Sequence, residues 1–194
     1  MKRRNPKILL VGHGRHGKDT VAELIQLYYG FSFQSSSEFA AEEVVYPVLK
    51  DKYGYKNPRE CFEDRHKHRA EWYNLISEYC KEDPTRLGRN IFKSSDIYCG
   101  LRNKREFHAL RNGGYFDVSI WVDRSDKLSR ESKKSNSIEP WMADFVIDNN
   151  GTKDDLAVAV KLLMDNLLSL NVEVTDMTQD YSKPGDQIIN LDNI

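Results

Sequence analysis

The chain has 194 residues, of which 39% are hydrophobic and 30% charged, a composition typical of one globular domain and not of a disordered tail. No apolar run approaches the roughly 20 residues of a membrane helix, and the run Ile8 to Val11 is too short for a signal peptide. Three cysteines without C-x-x-C spacing suggest neither a disulfide framework nor a zinc site, so we expect a cytoplasmic protein with no membrane partner.

Charge is unevenly distributed along the chain: residues 1–138 carry a net +7 and residues 139–194 a net −8. A basic N-terminal part suits an anionic ligand, whereas the balanced total of −1 argues against a nucleic-acid polymer as partner. On charge alone, a surface of mixed charges is the simpler interpretation.

The first half of the chain predicts alternating strands and helices. Ile8 to Val11 indicates a buried strand, and a second strand is expected over 31–34. Helices are predicted over 19–29, ended by Gly30, and over 38–49, capped within Ser35 to Ser37. After a loop over 52–58, one long helix is predicted over 59–81. The expected buried faces are Val21, Leu24, Ile25 and Tyr28 on the first helix and Phe62, Trp72, Tyr73, Ile76 and Cys80 on the long one.

The second half continues the alternation. Strands are predicted over 96–100, 118–122 and 145–147, and helices over 102–111 and 154–170. The last helix has the clearest apolar face, made of Leu156, Val160, Leu163, Leu167 and Leu170. Residues 171–194 are expected to form a peripheral tail. Strands that alternate with helices indicate an α/β fold with a mostly parallel sheet.

The segment Gly12 to Thr20 reads Gly-His-Gly-Arg-His-Gly-Lys-Asp-Thr and contains G-x-x-x-x-G-K between a predicted strand and a predicted helix. This is the context of a phosphate-binding loop, because glycines let several backbone N–H groups converge on one anion. The helix N-terminus adds positive potential, and an exposed Lys18 would reach the β- and γ-phosphates. The alternative is a glycine turn beside an exposed lysine. We interpret His13 and His16 as loop residues and not as catalytic bases.

Asp19 stands where such loops usually carry the serine or threonine that contacts Mg²⁺. Asp19 could bind the ion through water, or the Thr20 hydroxyl could take that place. The sequence leaves both options open.

The string G-x-x-x-x-G-K-D-T resembles that of the deoxynucleoside monophosphate kinases of tailed bacteriophages. Later segments resemble further motifs of that family in the same order, and together they span Lys7 to about Leu170. The family's D-x-R-x-x-x-E is similar to 100–106, its glycine turn to 112–114, its strand ending in arginine to 120–124, its S-x-E to 137–139, and its D-x-V-I-x-N-x-G to 144–151.

The resemblance implies a P-loop NTPase-type three-layer α/β fold with a five-stranded parallel sheet, a helical acceptor-binding insert and a lid. It implies ATP-dependent phosphorylation of a (deoxy)nucleoside monophosphate with Mg²⁺, in the host cytoplasm if the chain is phage-encoded, with a homodimer as one option. The single domain then divides into a core (5–34, 86–123 and 140–170), an insert (35–85), a lid (124–139) and the tail (171–194).

The loop and the resemblance together assign residues to sites. The catalytic cations would be Lys18, Arg102 and Arg130, and Asp19 and Thr20 would contact Mg²⁺. The acceptor would be bound by Ser36, Phe39, Arg65, Arg69, Tyr73, Arg102 and Glu106. ATP would be bound by Gly12, Gly14, Arg15, His16, Gly17, Lys18, Asp19, Thr20, Arg124, Asn150 and Gly151.

Plainer interpretations stand beside these assignments. Arg65 and Arg69, with His68, could form a solvated basic face, and Phe39 and Tyr73 could simply pack in the core. The polar lid could be a disordered loop. The turn at Asn150 could be an ordinary β–α turn, with Thr152 as the helix N-cap.

Gly100 departs from the family pattern, which has an aspartate at that position, and Asp96 is the nearest acid that could substitute. This departure and Asp19 favour an inactive nucleotide-binding or interaction protein as one alternative function. The other alternative is a kinase for a different small phosphorylated acceptor, such as dephospho-coenzyme A.

Overall fold

A computed structural model describes residues 4–133 and 135–173. Five parallel strands form one sheet in the order β2-β3-β1-β4-β5, and Leu9 of the central strand pairs with Tyr98 on one side and Ser119 on the other. All five predicted strands are confirmed within one to two residues at their ends. The strands are β1 (Ile8–Val11), β2 (Phe33–Ser35), β3 (Ile97–Cys99), β4 (Val118–Asp123) and β5 (Phe145–Asp148).

Eight α-helices connect and cover these strands within the described residues. No helix in that part of the chain is long and apolar enough to cross a membrane. The helices are α1 (Lys18–Tyr29), α2 (Ser36–Ala40), α3 (Tyr46–Tyr53), α4 (Pro58–Asp64), α5 (Arg69–Tyr79), α6 (Arg86–Ser94), α7 (Lys104–Asn112) and α8 (Lys153–Glu173), with a π-helical turn over Ala41–Val45 and a 3₁₀ turn over Pro140–Met142.

The sheet is buried on both faces, because side chains of β1 alternate between two apolar cores. Leu9 and Val11 pack with α2 to α7, whereas Ile8 and Leu10 pack with α1 and α8. All four are fully buried, and burial of each such side chain stabilises the fold by about 1.5–3 kcal/mol. The predicted three-layer α/β fold with its five-stranded parallel sheet is thereby confirmed.

The predicted helix over 38–49 is divided by the π-helical turn. Its N-terminus is capped as expected, since the Ser35 hydroxyl accepts a hydrogen bond from the Glu38 amide at 3.2 Å. Pro47 lies in the first turn of α3 and has no N–H to donate to the preceding turn. The π-helical turn immediately before it accommodates this interruption without ending the helix.

The single helix predicted over 59–81 is wrong, because the chain turns at residues 65–68 between α4 and α5. Asp64 fixes this turn: its carboxylate accepts hydrogen bonds from Tyr55 at 2.9 Å and from His68 at 3.1 Å. Trp72 is buried as predicted, but Tyr73 is 72% exposed and does not belong to the core. Because of this turn, α5 presents a different face to the core than a continuous helix over 59–81 would.

Helix α6 was not predicted, because Gly88 lies in its middle and five of its nine residues are polar or charged. Gly88 is needed for packing: a Cβ there would lie 2.5 Å from the Leu110 side chain. Leu87 and Ile91, four residues apart and both buried, are the helical signal that was present.

Smaller differences concern the helix faces. Tyr28 is 40% exposed, and Tyr29 takes the inward position by donating a hydrogen bond to Asp165 at 2.7 Å. Leu156 and Val160 of α8 are buried as predicted. The Leu170 side chain, and the tail from residue 174 onward, lie outside the described residues.

Candidate nucleotide-binding site

The glycine-rich loop, residues 12–17, joins the C-terminal end of β1 to the N-terminus of α1, at the sheet edge where parallel α/β folds place ligands. Gly17 has φ +95°, and a Cβ there would lie 2.3 Å from the Asn149 amide nitrogen. That amide donates to the His16 carbonyl at 2.9 Å, so residues after β5 fix the shape of the loop. The predicted strand–loop–helix arrangement is present.

Lys18 lies inside the loop and is only 7% exposed, so the expectation that it would be exposed is wrong. Its Nζ donates to the carbonyl oxygens of Gly12 at 3.1 Å and His13 at 2.6 Å. Burial lowers the pKa of Lys18. The ammonium is therefore held within the loop that would surround a phosphate.

The two loop histidines hold the segment that follows β4 over the loop. Buried His16 accepts at Nδ1 from the Arg124 amide at 3.0 Å, and His13 accepts at Nδ1 from the Glu131 amide at 3.3 Å. Burial lowers the pKa of both rings, which favours the neutral form that can accept these bonds. These contacts join positions more than 100 residues apart and have no local signal in the sequence.

Glu131 completes the site, and sequence analysis missed it. The Gly14 amide donates to Glu131 Oε2 at 2.6 Å, and Arg102 Nη1 donates to Oε1 at 2.5 Å. Nearby, the Asn136 amide donates to the Gly12 carbonyl at 3.2 Å. The available signal was an acid inside a basic, serine-rich segment whose cations were predicted to face the phosphates.

The predicted cations of this site lie at its rim. Arg102 follows the C-terminal end of β3, as expected, and its side chain is 45% exposed. Arg124 directly follows β4, and Arg15 and Arg130 are exposed. Arg102 thus stands beyond the C-terminal end of β3, at the edge of the sheet that also carries the glycine-rich loop.

Gly100 has φ +97°, a left-handed conformation that side chains rarely adopt. Its carbonyl accepts a hydrogen bond from the Ser36 hydroxyl at 3.2 Å, so α2 begins beside it. The departure from the family aspartate therefore has a backbone reason at this position.

The predicted acceptor residues lie on α2, around the turn at 65–68, and on α7. The Arg65 guanidinium covers the Phe62 ring at 3.8 Å and donates to the Phe62 carbonyl at 2.8 Å. Burial lowers the pKa of Arg65, opposed by Glu38, and the adjacent Arg69 lowers it further. The Arg69 guanidinium lies 3.3 Å from His66 Nδ1, and His68 is bound to Asp64.

Three further acceptor residues have different environments. Phe39 packs partly buried against the core, whereas Tyr73 points to solvent. Glu106 accepts a hydrogen bond from the Tyr98 hydroxyl at 3.0 Å, and burial raises the pKa of Glu106 to about 7. A carboxyl group with this pKa can donate as well as accept hydrogen bonds near neutral pH.

The turn at Asn150 and Gly151, which is predicted to bind ATP, contacts the start of the segment after β4. The Asn150 side-chain oxygen accepts from the Asp126 amide at 3.1 Å, and Lys127 Nζ donates to the Gly151 carbonyl at 3.1 Å. Thr152 caps α8 as predicted, since its hydroxyl accepts from the Asp155 amide at 3.2 Å. The cap and a nucleotide contact at this turn are compatible.

Asp19 is exposed in the first turn of α1, beside Thr20, and accepts a hydrogen bond from the Cys99 thiol at 3.2 Å. These two oxygen-bearing side chains fit Mg²⁺, which needs only one or two protein ligands when it arrives with ATP. Within residues 4–133 and 135–173, no three His, Cys, Asp or Glu side chains are grouped as a metal site.

Asp96 does not fit as a substitute metal ligand, so that prediction is wrong. It precedes β3, at the sheet edge opposite the loop, and it accepts hydrogen bonds from Asn5 and from Ser32, both at 3.1 Å.

No protein-family profile matches the chain, and no curated protein matches it. Among solved structures, a sugar kinase from Janibacter sp. HTCC2649 is 17% identical, with 84% of this chain and 95% of that one covered and a TM-score of 0.44. A shikimate kinase from Aquifex aeolicus is 15% identical, with 87% and 98% covered and a TM-score of 0.45. At such low identities and scores, these likenesses carry no argument about function, and the fold rests on the sheet described above.

Proposed function

We propose that this chain is a kinase that transfers the γ-phosphoryl group of ATP to a (deoxy)nucleoside monophosphate. The observation that carries the proposal is that the Gly14 amide and the Arg102 guanidinium bind the same carboxylate, that of Glu131. A loop amide and an arginine that hold one anion together can equally hold phosphate oxygens.

The donor side of the reaction follows from the loop. Its amides, the N-terminus of α1 and Lys18 would bind the β- and γ-phosphates and stabilise the negative charge of the transition state. Mg²⁺, which Asp19 and Thr20 would hold through their oxygens, neutralises phosphate charge when bound. Arg124, Asn150 and Gly151 would contact the adenosine part of ATP.

The acceptor side follows from the cations beyond the strand ends. Arg65 and Arg69 would bind the monophosphate, and Arg102 and Arg130 would approach the transferred group. An acceptor phosphate oxygen forms the new bond to the γ-phosphorus, while the bond from that phosphorus to the bridging oxygen breaks and ADP leaves with the electron pair. Ser36, Phe39, Tyr73 and Glu106 would contact the nucleoside.

The choice of a nucleoside monophosphate is supported by the family resemblance and by two arginines, Arg65 and Arg69, at the turn between α4 and α5. A coupled assay of ADP formation, run with ATP, Mg²⁺ and separate monophosphates, tests it. We expect ADP formation that depends on one of these acceptors. ADP formation with dephospho-coenzyme A alone would show that the acceptor is not a nucleoside monophosphate. ATP binding without ADP formation would favour an inactive nucleotide-binding protein.

A further inference from the structure

We propose that Glu131 is an internal anion that occupies the phosphate-binding position of the loop, so that a nucleotide must displace it in order to bind. This inference rests on the proposed function, because it concerns the same loop. The Glu131 carboxylate spans two groups that the kinase would need: one oxygen is bound by the Gly14 amide at 2.6 Å and the other by Arg102 at 2.5 Å.

The position of Glu131 is fixed by the loop itself. The Glu131 backbone N–H donates to His13 Nδ1 at 3.3 Å, so main chain and side chain both contact loop residues. A Cβ built on Gly14 would lie 3.0 Å from Glu131 Oε1, which shows how closely the carboxylate approaches the loop backbone. A phosphate oxygen bound to the Gly14 amide would need the space that Oε2 fills.

Charge supports the same arrangement. Burial acts to raise the pKa of Glu131, but Arg102 and the Gly14 amide outweigh it, and the pKa is lowered. Glu131 is therefore a carboxylate at neutral pH, with the charge sign and the acceptor atoms of a phosphate. Lys18 adds to the same positive field.

The bridge also joins the two substrate sites. When ATP displaces Glu131 from Gly14, it also loosens the ion pair that holds Arg102, which leaves that arginine available to the acceptor phosphate. Because coupling between two binding sites is reciprocal, the acceptor would also favour ATP binding by drawing Arg102 away from Glu131. Glu131 thus makes each substrate promote binding of the other.

The test is to titrate ATP, and separately inorganic pyrophosphate, into the wild type, Glu131→Gln and Glu131→Asp by calorimetry. Glutamine keeps the shape but loses the charge, so Glu131→Gln should bind ATP about 10-fold more tightly. Aspartate keeps the charge but is too short to bridge both partners, so we expect a smaller gain in ATP affinity. This variant replaces Glu131→Gln in the test if the glutamine variant fails to fold. Asp126→Asn, an exposed acid of the same segment, is the matched control and should bind like the wild type.

The coupling is measured by repeating the ATP titration with saturating monophosphate. The wild type should bind ATP more tightly under these conditions, and Glu131→Gln should show little further gain. Equal ATP affinity in the wild type and both Glu131 variants would overturn the role of Glu131 and leave the nucleotide site intact. The same conclusion would follow if the variants bound ATP more weakly than the wild type. If no variant binds ATP or pyrophosphate, the proposed function itself fails, and the role of Glu131 fails with it.

Discussion

The thiol of Cys99, the last residue of β3, donates a hydrogen bond to the carboxylate of Asp19 in the first turn of α1, with 3.2 Å between Sγ and Oδ1. This contact holds the Asp19 side chain toward the end of β3. Gly100, the next residue after Cys99, is the position where the family pattern has its acid. The carboxylate of Asp19 therefore lies beside the end of β3, next to position 100.

This placement leads to a prediction about Mg²⁺. Asp19→Ala and Thr20→Val should each raise the Mg²⁺ concentration needed for half-maximal transfer by about 10-fold, because each removes an oxygen close to the expected position of the ion. A magnesium titration of ADP formation measures the effect. Glu23→Ala, which removes an exposed acid one turn further along α1, is the control and should leave the titration unchanged. Identical titrations for all four proteins would place the metal elsewhere.

Lys18→Met should reduce phosphoryl transfer at least about 100-fold, because it removes the cation placed within the loop. The same change leaves the carbonyls of Gly12 and His13 without their donor, so the free energy of unfolding should fall by about 1–2 kcal/mol. Transfer rates and urea unfolding measure the two effects separately. Transfer at the wild-type rate in a folded Lys18→Met protein would contradict the role of the loop.

Arg102→Ala and Arg69→Ala should each weaken binding of the monophosphate by about 10- to 150-fold, the range of a charge-assisted hydrogen bond to phosphate. Because Arg69 is assigned to the acceptor site, Arg69→Ala should weaken ATP binding less than it weakens monophosphate binding. Equilibrium titrations with each nucleotide make the comparison, with Arg105→Ala on the exposed side of α7 as the control. Equal losses for both nucleotides in Arg69→Ala would mean that this arginine does not belong to the acceptor site.

Glu106 predicts a pH dependence of stability. Burial raises the pKa of Glu106 to about 7 from an ordinary value of 4.5, so between these pH values the folded state keeps a proton that the unfolded chain has lost. Stability is greatest below pH 4.5 for this group and falls as pH rises to 7, by about 3 kcal/mol.

Urea unfolding at several pH values checks this prediction. Glu106→Gln should remove this part of the pH dependence and be more stable than the wild type at pH 8. Glu78→Gln, an exposed acid on α5, should keep the wild-type profile. A wild-type profile for Glu106→Gln would show that Glu106 is ionised in the folded protein at pH 5 to 7.

Gly100→Asp should not restore a metal ligand, because its φ of +97° strains any side chain. We expect a loss of about 1–3 kcal/mol in unfolding free energy, together with an unchanged Mg²⁺ requirement. Thermal unfolding and the magnesium titration measure these. A stable Gly100→Asp protein that needs less Mg²⁺ would show that the backbone tolerates an aspartate at position 100 and that this acid contributes to Mg²⁺ binding.

The strands could be predicted from sequence because each is a short apolar run in a sheet buried on both faces. Helix boundaries were less predictable where specific side-chain contacts decide them. The turn after α4 depends on Tyr55 and His68 binding Asp64, and α6 depends on Gly88 packing against Leu110. Neither set of contacts is visible in the spacing of apolar residues.

The candidate site shows the same division. Lys18 and the glycines were predictable because the loop motif is local and has a fixed spacing. The contacts of His13 and Glu131 were not predictable, since they join the loop to a segment more than 100 residues away and place an acid in an anion-binding site.

Phosphoryl transfer from ATP to a nucleoside monophosphate can be observed by ³¹P NMR of the reaction mixture, which identifies the products. With ATP, Mg²⁺ and the preferred monophosphate, we predict that the signals of ADP and of the acceptor diphosphate grow together, without inorganic phosphate. Lys18→Met should show neither signal over the same period. Inorganic phosphate as the only new product, or unchanged ATP with every monophosphate although ATP binds, would show that this protein is not a nucleoside monophosphate kinase.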